Sequence, residues 1–409
     1  MSSRYPALPL PGPLMGSEIG TFAHNTVVVR LPDIARRAIQ ENTFTPGQVR
    51  AVQALIDDIP GQPIRRLFDG DAPDAAWWER AAAPFLGKTW LNVPWFFAET
   101  YFYRRMIEAT GYYTAGAGSL QDPYTYQKLK GLEATRADAA RLLRQVDHLL
   151  SGDFNPGSAV ERLLLVNLWA NQVDLSLWPV DQAERPDHAD PVDASGFILV
   201  DERERVAKHL LNLAAEKPRQ VDFLVDNAGF ELVCDLALAY ALLRLNCCDK
   251  IQFHLKLHPT FVSDATISDA LYTLRSLSEA DDQAEARVGQ SLLADLARGR
   301  LVLKDHLFWT SPYAMWEMPE DLYDELSTSG MVIVKGDANY RRLLGDRHWQ
   351  ETDPFTAILS YFPAPLAALR TLKSDPLVGL AAGQADTAAQ KDLRWRTDGR
   401  WGIIQTTLK

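Results

Sequence analysis

The spacing of apolar residues changes part-way along the chain, and that change constrains the fold more than any other feature. From about residue 22 to 220, apolar residues recur at helical spacing, as in "VRAVQALIDDI", "PWFFAETYFYRRMIEAT", "LEATRADAARLLRQVDHLL" and "SAVERLLLVNLWANQVDLSLW". Pro- and Asp-rich breaks such as "PGQP", "DGDAPD" and "AERPDHADPVD" separate them. After about 219 the apolar runs become short: "VDFLVD", "KIQFHLKL", "RLVLKD" and "GMVIVKGD" alternate with helical stretches. Such alternation predicts βαβ units and a mostly parallel sheet. The expected organisation is an extended Pro- and Gly-rich arm over 1–20, a mainly helical domain over 21–218 and an α/β domain over 219–409. The acidic interval 276–289 is expected to be a loop running into a helix.

Composition narrows the function classes. The net charge of −11 argues against a nucleic-acid partner, which calls for a basic surface. Three cysteines, two of them the adjacent Cys247 and Cys248, make neither a disulfide framework nor a metal-ligand spacing, which fits a cytoplasmic protein. No apolar stretch reaches the length of a membrane span, and the first residues do not have the pattern of a signal peptide.

Ligands of open parallel sheets bind beyond the carboxyl ends of the strands. Asp226-Asn227 ends the run "VDFLV", "HPTFVSDAT" follows "IQFHLKL", and Lys335-Gly336-Asp337 ends "MVIV". Asp226, Asn227 and Asp264 offer two carboxylates and an amide oxygen, a donor set suited to hard divalent cations. The competing reading is that Asp226 and Asn227 merely cap the helix that follows. Glu231 reads as a first-turn acid favoured by the helix dipole, and Gly229 as a tight-turn residue that allows close approach. His254 and His258, flanking Lys256, are not expected to make a metal pair. Lys335, Asp337, Asn339 and Arg341 form a second polar cluster fit for an anion. In "ALRTLKSDP", Arg370 and Lys373 would share one face if the segment were helical. An oxygen-ligated metal with several cations is the composition of a phosphoryl-transfer site.

These residues resemble the damage-control phosphatase family, once catalogued as a domain of unknown function, and within it the acidic-residue methyltransferase branch. The matching pieces are "VDNAGFELVCDLALA", "HPTFVSDAT", "VIVKGDANYRRLLGDRHW" and "LRTLKSD", the last similar to that branch's Arg-Thr-x-Lys signature at Arg370 to Lys373. Upstream, "GTFAHNTVVVRLP", "WFFAETYFYRR" and "LWANQVDLSLW" also look like the branch, with Ala170 standing where Gly is expected and Asn171 kept. The resemblance implies a three-layer α/β/α sandwich with a helical N-terminal domain. It implies metal ligation by Asp226, Asn227 and Asp264, with Mn²⁺ first and Co²⁺, Ni²⁺ or Mg²⁺ as substitutes. Substrate contacts are implied for Asp226, Asn227, Asp337, Ala338, Asn339, Tyr340, Arg341 and Lys373. The implied substrates are small phosphorylated metabolites, including sugar phosphates such as fructose 1-phosphate.

The expected function is therefore metal-dependent phosphomonoester hydrolysis. Lys373 and Arg341 would hold phosphoryl oxygens, and Asp337 and Asn339 the organic part or a water. Direct attack by water is favoured over an aspartyl nucleophile, because the second Asp that commonly accompanies such a nucleophile is here Ala228. The alternative is an S-adenosylmethionine-dependent carboxyl methyltransferase, for which "DNAGFE" supplies only one glycine. The aromatic-rich "PWFFAETYFYRR" is expected to form part of the specificity wall, with most of its rings packed in the core.

Overall fold

The computed structural model of the chain describes residues 4–152, 154–170, 194–215 and 219–408. Asn171, the break at 183–193 and the end of the "LWANQVDLSLW" stretch lie outside them.

Seven strands form one sheet: β1 (Ile198–Asp201), β2 (Gln220–Leu224), β3 (Lys250–Leu255), β4 (Leu301–Asp305), β5 (Met331–Lys335), β6 (Leu366–Thr371) and β7 (Gly402–Thr407). Their order is β1-β7-β6-β5-β2-β3-β4. Every pairing is parallel except β6 with β7. Helices cover both faces, so the inner strands are buried on both sides, and β2, β3 and β5 read as short apolar runs, while the edge strands β1 and β4 are half-buried. The period of two decides which residue faces which layer. Val221, Phe223 and Val225 pack with the helix Phe230–Arg244 in one core. Leu224, Val332 and Val334 face the opposite core with Phe308 and Trp309. A third core holds the N-terminal helices around Trp90, Trp95 and Tyr101.

The four strands expected from the short runs are β2 to β5. Three others were not anticipated. β1 joins the sheet edge from before residue 219, so the sheet draws on both sides of that point. β7 is the antiparallel insertion between β6 and β1. β6 corrects the helical reading of "ALRTLKSDP": the run Leu366-Ala-Ala-Leu is a buried strand, and short apolar runs do not distinguish buried strand from buried helix. Arg370 and Lys373 therefore do not share a helix face. Another difference lies at Thr135, where one long helical pattern divides into helices Thr125–Ala134 and Arg136–Ser151. The Thr135 hydroxyl donates back to the Gly131 carbonyl at 2.8 Å, competing with the helix. The acidic interval does lead into a helix, Gln283–Ala297, capped by the Asp282 side chain.

The strand order places β2 at a reversal. From β2 the chain proceeds through β3 and β4 to one side, then crosses to β5 and β6 on the other. The crevice beyond the carboxyl end of β2 is thus the place where an open sheet binds its ligand. Residues 4–20 run against this half of the molecule, with Leu14 N–H donating to the Asp346 carbonyl at 2.9 Å. Among the described residues, no helix is long and apolar enough to cross a membrane.

Candidate active site

Loops after β2, β3, β5 and β6, four neighbouring strands, converge on one cavity of about 490 Å³. Asp226 and Asn227 leave β2 and pair with the loop after β3. Ala228 N–H donates to the Ser263 carbonyl at 2.7 Å and Ala265 N–H to the Asp226 carbonyl at 2.8 Å. This short bridge between Asn227 and Asp264 brings Asp226, Asn227 and Asp264 into one place, although Asp264 is far from the other two in sequence. Capping is not what holds Asp226 and Asn227 there. The cap position of the following helix is Gly229, and no side chain caps the backbone N–H groups of its first turn. Gly229 adopts φ 77° and ψ −141°, a region essentially reserved for glycine. Its role is conformational, since a Cβ there would meet only ordinary contacts.

A different glycine supplies the close approach. Gly336, at φ +80° just after β5, lies against Asp226, and a Cβ on it would fall 1.9 Å from Asp226 Oδ2. The Asp226 carboxylate thus fills the space that a side chain at 336 would take.

Five carboxylates line the cavity, from Glu99, Asp226, Glu231, Asp264 and Asp337, and four of them have cationic partners. Glu99 pairs with Arg341 at 2.6 Å, Asp264 with Lys256 at 2.7 Å, Glu231 with Lys335 at 3.2 Å and Asp337 with Arg370 at 2.8 Å. Asp226 is the exception among the described residues. Its Oδ2 accepts from the Asn227 amide at 2.9 Å, while its Oδ1 is buried with no hydrogen-bond donor. Burial, and then the neighbouring Asp264 and Glu231 carboxylates, push the Asp226 pKa well above the usual range. Asp264 is also raised by burial, with Lys256 opposing. For Glu231 burial acts upward, but Lys335, Lys373 and the Asn227 amide outweigh it and hold the group low.

An orphaned carboxylate oxygen, flanked by a second carboxylate and an amide oxygen, fits a hard cation. Asn227 Oδ1 is oriented by the Ser263 hydroxyl at 2.6 Å, and its amide N–H groups bond Asp226 and Glu231. Among the described residues no three His, Cys, Asp or Glu side chains converge as a ready-made ligand set. The donor set that fits is two carboxylates and an amide. His254 pairs instead with Asp222 at 2.9 Å, and His258 faces Asp74 at 3.6 Å.

The cations divide into two kinds. Lys335 is buried between Glu231 and Asp235 and is part of the framework, not an anion ligand as first expected. Arg341 reaches the cavity wall, but three of its N–H groups already serve Asp346 and Glu99, and its plane lies 3.5 Å from the Trp95 ring centre. Lys128 is held by Asp122 and Asp269, both at 2.8 Å. Lys373, two residues beyond β6, lines the cavity and has no hydrogen bond or ion pair among the described residues.

Two expected contacts are corrected. Asn339 is buried, and its amide donates to the carbonyls of Leu224, Val225 and Lys335, tying the ends of β2 and β5 together. Tyr340 is wholly buried, with its hydroxyl on Gln405 at 2.8 Å. Neither lines the cavity, because on the helix Gly336–Leu344 their side chains point to the core, whereas Arg341 on the same helix reaches the wall. Asp337 and Ala338 do line it. Burial opposes ionisation of Asp337, but Arg370, Arg341 and the Ser374 hydroxyl keep its pKa below the usual carboxylate range.

Local sequence did not single out Phe22, Arg30, Gln127, Lys128, Thr135 or Ser263 as wall residues. Glu99 had a signal: it is the lone charged residue in the mostly apolar first two turns of the helix Trp95–Thr110.

The damage-control phosphatase ARMT1-like domain matches residues 26–388. The chain belongs to that family. It is 32% identical to damage-control phosphatase ARMT1 of Xenopus tropicalis over 94% of this chain and 96% of the relative. The rat protein of the same name is 36% identical over 77% and 74%, and the human one 29% identical over 97% and 98%. A solved DUF89 family protein from Pyrococcus horikoshii aligns over 92% of this chain and 95% of its own, at 11% identity and a TM-score of 0.45. As a member of the damage-control phosphatase family, the chain is a phosphatase.

Proposed function

We propose that the protein hydrolyses small phosphorylated metabolites, sugar phosphates such as fructose 1-phosphate among them, with a divalent cation held by Asp226, Asn227 and Asp264. The observation that carries this reading is the buried, donorless Asp226 Oδ1 beside Asp264, at the point where the strand order reverses. Mn²⁺ is the cation proposed, with Mg²⁺, Co²⁺ or Ni²⁺ as substitutes, since all accept oxygen donors. Bound there, such a cation supplies charge neutralisation and Lewis-acid activation for phosphoryl transfer.

The side chains supply the rest. Lys373, which makes no direct ion pair among the described residues, binds a phosphoryl oxygen and stabilises charge that develops in the transition state. Asn227, oriented by Ser263 and Glu231, fixes the direction of the ligand oxygens. The Asp337 carboxylate, kept ionised and immobile by Arg370 and Ser374, accepts hydrogen bonds from the organic part of the substrate. Arg341 and Glu99, locked to each other, form a rigid wall rather than a mobile clamp. Phe230 and Phe261 add apolar surface, and the helix Thr125–Ala134 contributes Gln127 and Lys128 opposite them.

The test is a panel of sugar and nucleotide phosphates assayed with each divalent cation after treatment with chelator. Cation-dependent phosphate release from at least one sugar phosphate is expected. No release from any phosphomonoester under any cation would remove the proposal.

A further inference from the structure

We infer that Arg30 reads a second oxyanion on the substrate, a carboxylate or phosphate carried at the end away from the phosphate being cleaved. The inference rests on the phosphatase reading above and names the substrates preferred within it: phosphomonoesters that are themselves acids or bisphosphates, over neutral sugar phosphates such as fructose 1-phosphate.

Four cationic side chains line the cavity, and their pairing sorts them. Lys128 and Arg341 are each neutralised by two carboxylates. Lys373 and Arg30 make no ion pair in contact among the described residues; Arg30 reaches Glu99, and Lys373 reaches Asp226 and Glu231, only at longer range. Lys373 follows β6 close to the buried Asp226, whereas Arg30 is exposed and sits at the rim. One free cation is enough for the transferred phosphoryl group beside a bound metal, which leaves the second for another anionic group.

Arg30 is also prepared for that task rather than simply solvated. Its guanidinium lies 4.6 Å from the centre of the Phe22 ring, a cation–π geometry, and one N–H donates to the Thr26 hydroxyl at 3.2 Å. The stack leaves other edges of the fork for a planar or tetrahedral oxyanion. Phe22 is anchored in turn. It meets Trp95 edge-on at 5.9 Å, and its N–H points to the Asp375 carboxylate at 3.4 Å. Asp375 is two residues from Lys373, so the Arg30 platform and the Lys373 loop are tied to each other across the cavity mouth. The residue is carried by a single π-helical turn, Thr26–Arg30, a form often found at functional sites.

A matched substrate pair tests this: glucose 1-phosphate against glucuronic acid 1-phosphate, with glucose 1,6-bisphosphate as the phosphate arm. Steady-state kcat/KM is measured for wild type, R30A and R30K with Mn²⁺. The wild type should prefer the acid or the bisphosphate. R30A should reduce that preference by about tenfold or more, as loss of a charge-assisted hydrogen bond predicts, and R30K should recover part of it. Gain on the acid alone assigns the second group as carboxylate, and gain on the bisphosphate alone as phosphate. An unchanged preference in R30A overturns the inference and leaves Arg30 a surface arginine resting on Phe22. Should the wild type hydrolyse none of these esters, the wider phosphomonoester panel decides the proposed metal-dependent hydrolysis separately. Calorimetric binding of the same pair to wild type and R30A then still decides the role of Arg30, with equal discrimination by both contradicting it.

Discussion

At Gly336 the absence of one methyl group determines whether Asp226 can occupy the site. A Cβ there would overlap the Asp226 carboxylate, and the backbone is already left-handed. Gly336→Ala should therefore displace Asp226, weaken Mn²⁺ binding at least tenfold and lower turnover in step, as calorimetric titration of the purified variant would reveal. An alanine at 336 that left the titration unaltered would place the cation elsewhere. Lys373 separates a second role. Lys373→Ala removes a charge-assisted hydrogen bond worth ~1.5–3 kcal/mol, or roughly a ten- to hundredfold fall in kcat/KM, without removing a metal donor. The metal titration should stay as in the wild type; an unaltered kcat/KM would take Lys373 out of the site. Asp226, Asn227 and Asp264 were legible because each is polar where an apolar run or its following loop ends. Arg30 and Lys128 were not, since only folding reveals which cations stand in contact with a carboxylate and which do not. Asn339 and Tyr340 lie in a motif that mixes cavity residues with core residues, and only the helix phase sorts them.

At the scale of elements, β5 and the helix Phe230–Arg244 are joined through buried charge. Lys335 donates to Asp235 at 2.9 Å and Glu231 at 3.2 Å, inside a helix whose other residues are nearly all apolar. Burial pushes Asp235 up to about 6, with Lys335 opposing. Lys335→Met would strand two buried carboxylates and should cost about 3–5 kcal/mol in denaturant unfolding. Adding Asp235→Leu should return part of that loss, and strict additivity of the two changes would argue against their coupling. The same elements show what sequence periodicity conveys. β2 to β5 were visible because Val- and Ile-rich runs stop at polar clusters. β6 was not, because Leu-Ala-Ala-Leu suits helix and strand equally and its strand character comes from pairing with β5 and β7. β1 and β7 are edge and antiparallel additions whose pairing depends on the rest of the sheet.

For the whole molecule, one buried histidine outside the cavity should subtract stability on mild acidification. His258 is fully buried, and burial pushes its pKa down to about 4, with Asp74 opposing and Arg104 adding to the shift. The edge of Tyr113 closes over it at 6.1 Å. The folded state keeps this imidazole neutral, while the unfolded chain takes a proton below about 6.5. Its contribution is therefore complete above about 6.5 and is lost as pH falls toward 4. Between pH 7 and 5 the wild type should lose about 2 kcal/mol more than His258→Asn. Raised carboxylates such as Asp226 and Asp264 act in the opposite sense, so the comparison with the variant isolates the histidine. Equal losses in both proteins would mean that His258 titrates normally.

The central claim is that the carboxylate after β2 holds the cation on which hydrolysis depends. Phosphate release from fructose 1-phosphate, followed as Mn²⁺ is returned to chelator-treated wild type and Asp226→Ala, tests it most directly. The wild type should recover activity along a saturating curve while the folded variant stays at background at every Mn²⁺ concentration. Near-normal, Mn²⁺-dependent turnover by Asp226→Ala would contradict the claim.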